Sequence, residues 1–341
     1  MKPIAIAGTG AVSPAGWGVP ALMEMLDAGV RPPLSELSRE RRDGPPVVTP
    51  VLRVPGAPSG LPRNPRLRRV SPISKFAAAA AIEALGPERI ERIATGDFRL
   101  GVICSLMNGC VNYSNRFFGE VVSDPSVASP ILFPETVFNA PSSHLSAMFA
   151  STAPNDTLLG DGAEVFTALE LAAEWLQRGD CDGVLVVAPE EIDWLSAEAL
   201  QLYSDHYVPS EGAGAIYLEP GAEGPLLLSV PDPVALVPGG DRAAALEELS
   251  AASGASDDGR TLLADSRTGV PRYDDPENRA FASWQGRRIS VKKLLGESYG
   301  ATSALQLVAA VALLGRKEAD RALVTALGGN EQAAGCWIGQ K

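Results

Sequence analysis

The stretch "LLGDGAEVFTALELAAEWLQRGDCDGVLVVAPEE", residues 158–191, decides the fold. It runs from an apolar strand through a small glycine turn into an amphipathic helix, and leaves along a second apolar strand. A strand, a tight turn and a helix N-terminus make a seat for a catalytic nucleophile. The turn exposes a side chain, while the free N–H groups and the dipole of the helix stabilise negative charge. Here the seat holds Asp161 and Gly162. The following "DGAE", Asp161 to Glu164, reads as an N-cap acid with a second acid three residues on, the pattern of a capping box.

The same order of parts occurs again in "GESYGATSALQLVAAVALLGRKEADRALVTA", which starts at Gly296. Each copy has a glycine followed by an acid (Asp161, Glu297), then an Ala-Leu-x-Leu helix (Ala168 to Leu171, Ala304 to Leu307). Each then has a glycine near the helix end (Gly179, Gly315), an acidic step (Asp182, Asp320) and a strand, "VLVVA" or "ALVTA". Alanine and leucine dominate helix interiors, so the helices alone would match by chance. Strand, cap and turn in the same order make duplication the better explanation. We expect two similar halves packed back to back, residues 1–220 and 221–341.

The rest of the chain keeps the rhythm of apolar strand and helix: "PIAIAG", a helix near 19–28, "KFAAAAAIEAL" and "RLGVICS". This alternation predicts an α/β protein with covered sheets. Residues 30–72, rich in proline and arginine, read as a structured surface loop. With 45% hydrophobic residues in 341, the chain can bury a large core. The net charge of −12 argues against duplex nucleic acid or an anionic membrane as the main partner, since both need a cationic face. No segment has the length or apolarity of a membrane span or a secretory leader, so a cytoplasmic protein is expected. Cys104, Cys110, Cys181 and Cys336 form no CxxC pair, and His144 and His206 are the only imidazoles, so neither a metal nor a cofactor is expected. "GTGAVSPAG" at Gly8 has the wrong spacing for a dinucleotide loop, with Pro14 where the helix should open.

With those features placed, the sequence resembles the β-ketoacyl-acyl-carrier-protein synthases of the thiolase fold over nearly its whole length. The resemblance rests on "IAGTGAVSPAGWGVPALMEML", "PRLRRVSPISKFAAAAAIEAL", the closing "TALGGNEQAAGCWI" and, most specifically, "SEGAGAIYLE", Ser210 to Glu219. It implies an α/β fold of two duplicated halves in a layered αβαβα arrangement. In active members a cysteine takes up the acyl chain, and two histidines serve the decarboxylation of the malonyl unit. Counting back from "RGDCD" puts Gly162 at the cysteine position. "SRTGVPRYDDPE" puts Ser266 at the first histidine, and "KKLLGESYGATSALQL" puts Glu297 at the second, with Lys292 or Lys293 near the family's lysine. Glycine has no nucleophile, and serine and glutamate do not replace two imidazoles. The predicted pocket comprises Asp161, Gly162, Glu164, Tyr207 and Leu327, the last two standing where the family has gating phenylalanines.

The resemblance implies a subunit without condensing activity, similar in role to the chain length factors that pair with an active ketosynthase in type II polyketide and aryl polyene systems. A rival reading makes Asp161 and Glu297, with Asp265 or Ser266, the acid and base of an altered chemistry on the same fold. A third is a homodimer that binds or scaffolds acyl carriers. Arg63, Arg66, Arg68, Arg69 and Lys75 form a cationic cluster suited to an acidic carrier protein or, equally, to a solvated loop.

Overall fold

A computed structural model describes residues 2–59, 64–254, 257–329 and 332–340. The first part of the chain runs β1 (Ile4–Ser13), β2 (Gly16–Trp17), α1 (Val19–Ala28), β3 (Ser35–Arg39), β4 (Val47–Val51), α2 (Pro72–Ala94), β5 (Leu100–Leu106), α3 (Val111–Ser123), α4 (Ala140–Phe149), β6 (Asn155–Leu159), α5 (Glu164–Arg178), β7 (Gly183–Glu190), α6 (Trp194–Gln201) and β8 (Gly212–Pro220). It continues as β9 (Leu226–Ser229), β10 (Val234–Ala235), α7 (Arg242–Ala252), β11 (Thr261–Ala264), α8 (Pro271–Ala280), β12 (Arg288–Ile289), α9 (Val291–Leu295), α10 (Gly300–Gly315), β13 (Arg321–Leu327) and β14 (Gln332–Gly339).

The main strands follow the order β12-β11-β13-β14-β9-β1-β8-β7-β5-β6. Outward from the single β1–β9 pairing at Ala5 and Leu226, the order 1-8-7-5-6 on one side is matched by 9-14-13-11-12 on the other. Strands β5, β6 and β7 are parallel to one another, as are β11, β12 and β13, while β8 and β14 run antiparallel to β7 and β13.

Side-chain alternation builds the layers. On β7, Val184, Val186 and Ala188 face one cluster, shared with Phe166 and Leu169 of α5 and with Ala304 and Val308 of α10. The intervening Leu185 and Val187 face another, shared with Ala77, Ala80 and Ala84 of α2. On β13, Val324 and Ala326 join the α5 and α10 cluster, whereas Leu323 packs with Leu246 of α7 and Trp337. Helices α5 and α10 therefore lie between two sheet portions, and α2 and α7 cover the outer faces. Strands buried on both faces read as continuous apolar runs, which is why "VLVVA" and "ALVTA" show no polar alternation. This is the layered α/β arrangement expected of the thiolase fold.

Two details follow from close packing. Gly8 and Gly10 of β1 lie so near α2 that a side chain would overlap the carbonyl oxygens of Ala84 and Ala80, which explains "GTG" without a nucleotide. Helix α10 is buried on nearly every side, and its Gln306 amide donates to the carbonyls of Ala264 (2.6 Å) and Thr325 (2.7 Å), tying it to β11 and β13. Residues 30–72 hold the β3–β4 hairpin, which sits against α6 through Arg39 and Glu198. Among the described residues no helix is long and apolar enough to cross a membrane.

Candidate functional site

Both turn-to-helix junctions open on one cavity of about 100 Å³. The α5 junction contributes Asp161 and Gly162, and the α10 junction contributes Lys292, Glu297 and Tyr299. Ser266 and Thr268 come from the loop after β11, and Leu327, Gly328 and Gly329 from the turn after β13. Tyr203, Tyr207, Tyr273, Met107 and Arg242 also line it. Four of the five predicted pocket residues, Asp161, Gly162, Tyr207 and Leu327, thus line it together with Ser266. Glu164 does not: it lies in the first turn of α5, where it accepts a hydrogen bond from Gln332 (3.4 Å).

The three positions matched by motif to the family's reactive groups, Gly162, Ser266 and Glu297, line the same cavity. An ideal Cβ on Gly162 would lie 2.8 Å from Ser303 Oγ, 3.2 Å from the Tyr299 carbonyl and 3.3 Å from Lys292 Nζ. The position faces the cavity and is already tight. Ser266 is buried. Its Oγ accepts from the Leu327 N–H (3.0 Å), and its own N–H donates to Glu277 (3.0 Å). Burial pushes the Glu277 carboxyl well above its ordinary value, and the nearby Asp265 adds to the shift. Glu297 accepts from Lys292 Nζ at 3.0 and 3.2 Å and from the Tyr299 N–H at 2.7 Å. Lys292 is 3% exposed, so the pair is buried. Lys293 points elsewhere, 3.7 Å from Asp274.

Asp161 behaves differently from the sequence expectation. Helix α5 starts at Glu164 after Ala163, and no side chain caps it at that residue. Asp161 Oδ1 instead accepts from the Ala163 N–H (3.0 Å), two residues on, so the local motif is an Asx turn and not a capping box. The helix boundary falls at Ala163, two residues beyond Asp161; the Glu164 N–H is taken by the Asp161 carbonyl (3.1 Å), which leaves the Ala163 N–H for the carboxylate. Oδ2 of Asp161 has no hydrogen-bond partner among the described residues. It abuts Gly328, where any side chain would overlap the carboxylate.

Tyr299, just before α10, has φ +48° and ψ −121°, a conformation that costs a non-glycine residue of order 1–3 kcal/mol and persists only where the surroundings fix it. Glu297 provides that fixing through the Tyr299 N–H. Burial, reinforced by the Glu297 charge, pushes the hydroxyls of Tyr207 and Tyr299 far above their ordinary values. Neither phenol serves as a base near neutrality.

The remaining sequence candidates lie apart from the cavity. Asp265 is fully buried and held by Arg267 (2.8 Å) and Arg288 (3.1 Å). His144, on α4, pairs with Glu135 (2.9 Å), and His206 is exposed beside Asp205. All four cysteines are buried and none lines the cavity; burial raises the Cys104 thiol to about 12. Arg66, Arg68, Arg69 and Lys75 are exposed on the approach to α2 and its first turn, without ion pairs among the described residues, and Arg63 lies outside the described residues. No group of three potential metal ligands occurs among the described residues.

Sequence reasoning missed several residues of the site: Tyr203, Tyr273, Tyr299, Arg242, Thr268 and Met107. They come from scattered places, Arg242 from the start of α7, Tyr273 from α8 and the others from loops, and share no period. It also missed Glu190, a fully buried acid at the end of β7, which accepts from the N–H groups of Met107 (2.5 Å) and Asn108 (3.2 Å) and so backs the cavity wall. Burial raises its carboxyl to about 8. The signal was present, since an acid directly following "VLVVAP" ends an otherwise apolar strand.

A comparison with protein families matches residues 1–223 to the beta-ketoacyl synthase N-terminal domain, and the chain belongs to that family. Among solved structures, it is similar to the ishigamide ketosynthase/chain length factor, with a TM-score of 0.80, 20% identity and 99% of each chain covered. It is also similar to the complex of the ketosynthase ApeO with its chain length factor ApeC from Xenorhabdus doucetiae, with a TM-score of 0.80, 17% identity, and 100% of this chain and 98% of that chain covered. A third similar structure is AntDE:AntF, a type II polyketide synthase acyl-carrier protein in complex with its hexaketide-bound ketosynthase, with a TM-score of 0.79, 16% identity, and 100% and 99% covered. No curated protein matches the sequence.

Proposed function

We propose that this chain is a ketosynthase-like subunit without condensing activity, acting as a chain-length-factor-type partner of an active ketosynthase in fatty acid or polyketide-type biosynthesis. The observation that carries the reading is the state of the three matched positions. Gly162 offers no nucleophile, Ser266 is occupied with Leu327, and Glu297 is neutralised by Lys292. Acylation needs an activated nucleophile with a base in reach, and decarboxylation needs groups that stabilise a developing anion. The cavity presents carboxylates instead.

The partner surface is an exposed apolar face on the β5–β6 crossover and on β6 itself: Phe118, Val122, Ile131, Phe133, Phe138 and Leu159. β6 is the last strand of the sheet, so its outer edge is open to pairing, and exposed apolar residues on and around an open edge favour an interaction site. The similar structures whose titles name ketosynthase and chain length factor complexes favour a ketosynthase as the occupant over a second copy of this chain. The exposed arginines before α2 suit an acidic acyl carrier. Against an acid–base pair of Asp161 and Glu297 stands the commitment of Glu297 to Lys292 and Tyr299, with no hydrogen bond between the two carboxylates among the described residues.

The test is native mass spectrometry of the protein co-expressed with its genomic neighbours, combined with intact-mass analysis after incubation with acyl- and malonyl-carrier proteins. A one-to-one heterodimer and an unmodified mass are expected. Covalent acylation of this chain, or condensation by the chain alone, would overturn the proposal.

A further inference from the structure

We propose that the pair of His144 and Glu135 is a positioning tie, which holds the turn Phe133–Glu135 so that the aromatic side of the β5–β6 crossover is presented to the partner subunit. This rests on the reading of that apolar face as the seat of a ketosynthase, and it names the residues that set the shape of the seat. Between α3 and α4, residues 124–139 take part in none of the described strand pairings. Their backbone hydrogen bonds run between near neighbours, from Val127 to Asp124, Leu132 to Ser129, Glu135 to Leu132 and Thr136 to Phe133. Yet Val127, Ile131, Phe133, Val137 and Phe138 are all exposed. Water favours burying such side chains, so contacts from the body of the protein must hold them outward.

Helix α3 supplies some of them. Glu120 accepts from the Ser129 N–H (2.9 Å), Ser114 Oγ donates to the Thr136 carbonyl (3.2 Å), and the Phe117 and Phe133 rings lie 5.6 Å apart. From α4, His144 makes the one side-chain hydrogen bond to the Phe133–Glu135 turn among the described residues. Its Nε2 lies 2.9 and 3.0 Å from the two carboxylate oxygens of Glu135. The two side chains keep only 21% and 14% of their surface exposed, so this is not a solvated surface contact. A pair at such depth adds little stability over apolar side chains of the same size, and its best-attested use is to fix one arrangement. Here the arrangement follows from the geometry of a 3-10 turn, which has three residues per revolution. With Glu135 drawn toward α4, Phe133 two residues earlier is turned away from it, and Phe133 is 57% exposed. Phe138 is placed by a separate contact, since its ring lies 2.7 Å from where a Cβ on Gly109 would stand. Without the pair, the turn can roll its aromatic side inward and strand no buried charge.

The test compares the native full chain with Glu135→Leu/His144→Met and with His144→Gln, whose amide still donates to the carboxylate. Hydrogen exchange of the isolated chain, read by mass spectrometry, follows residues 129–138, and urea unfolding follows the fold. In the double variant, exchange there should be faster by about tenfold or more, with β7 and α5 unchanged and the urea midpoint close to native. In co-expression with the genomic neighbours, the dissociation constant of the heterodimer should rise by about tenfold or more. His144→Gln should stay near the native chain in every readout. Native exchange in the double variant, a loosened turn that binds the partner as the native chain does, or a Gln variant as loose as the double one would each overturn the proposal. So would faster exchange spread over β7 and α5, or a double variant that does not fold, since either makes the pair a support of the whole fold. If the native chain forms no heterodimer, the reading of the face fails, while the exchange comparison, which needs no partner, still decides the tie.

Discussion

The Lys292–Glu297 pair offers the sharpest test of how burial shapes the site. Lys292→Met removes the ammonium but keeps the length and volume of the stem, leaving Glu297, 9% exposed, with only the Tyr299 N–H as donor. Breaking a buried pair by removing one partner costs about 3–5 kcal/mol, because the remaining charge has lost its solvent and its counter-ion. Replacing both partners by neutral groups costs far less. In Lys292→Met/Glu297→Gln the amide oxygen still accepts from Tyr299, and no charge is buried, so the double variant should recover to within about 1–2 kcal/mol of the native protein. Urea unfolding at pH 7, with midpoint and slope both fitted, supplies the four corners of the cycle. The coupling energy should reach about 2 kcal/mol or more. A Lys292→Met cost below about 1 kcal/mol, or a double variant as unstable as the single one, would show that the pair is solvated and that the burial argument fails.

Two further outcomes follow from buried carboxylates. Burial raises the Glu190 carboxyl to about 8, above its unfolded value near 4.3, so between those limits the folded chain holds a proton that the unfolded chain has released. Stability should therefore fall as pH rises through that window, by up to about 1.4 kcal/mol per pH unit from this group, and level off above it. Glu190→Gln should flatten the slope in urea midpoints measured from pH 5 to 9, and parallel curves would refute the assignment. Gly328→Ala should destabilise by about 1–3 kcal/mol through overpacking against Asp161, with much of the loss recovered in Gly328→Ala/Asp161→Ala; thermal melts that show no recovery would refute the contact.

The fold was legible where residues carry a period. The strand–helix–strand unit from residue 158 appears as β6-α5-β7, and the turn–helix–strand unit from residue 296 as α10-β13, because strands buried on both faces and an Ala/Leu helix leave unmistakable patterns. The elbow positions were legible from local motifs, and Gly162, Ser266 and Glu297 do meet at one cavity. Side-chain direction was not. Nothing in "KKLLGES" says that Lys292 turns inward to Glu297 while Lys293 turns outward to Asp274; that follows from α9 being a single short turn whose buried side is fixed by Val291 and Leu295. The tyrosine wall was illegible for a different reason. Tyr203 and Tyr207 come from the connection after α6, Tyr273 from α8 and Tyr299 from the turn before α10, and only tertiary packing brings them together.

On the proposed reading, the groups at the three matched positions are not the outcome of random decay. A random loss of two imidazoles from a buried site would leave orphaned donors and acceptors, each costing about 1–3 kcal/mol. Here the substitutes satisfy one another: Ser266 takes the Leu327 N–H, and Glu297 takes both Lys292 and the strained Tyr299 N–H. Against that background, the single carboxylate oxygen of Asp161 left without a donor is a departure from a rule the rest of the cavity obeys. Buried polar groups that persist unsatisfied need a reason. Gly328 packs directly against that oxygen, so backbone and not solvent stands where a donor would, and the carboxylate is held there by the Ala163 N–H alone among the described residues.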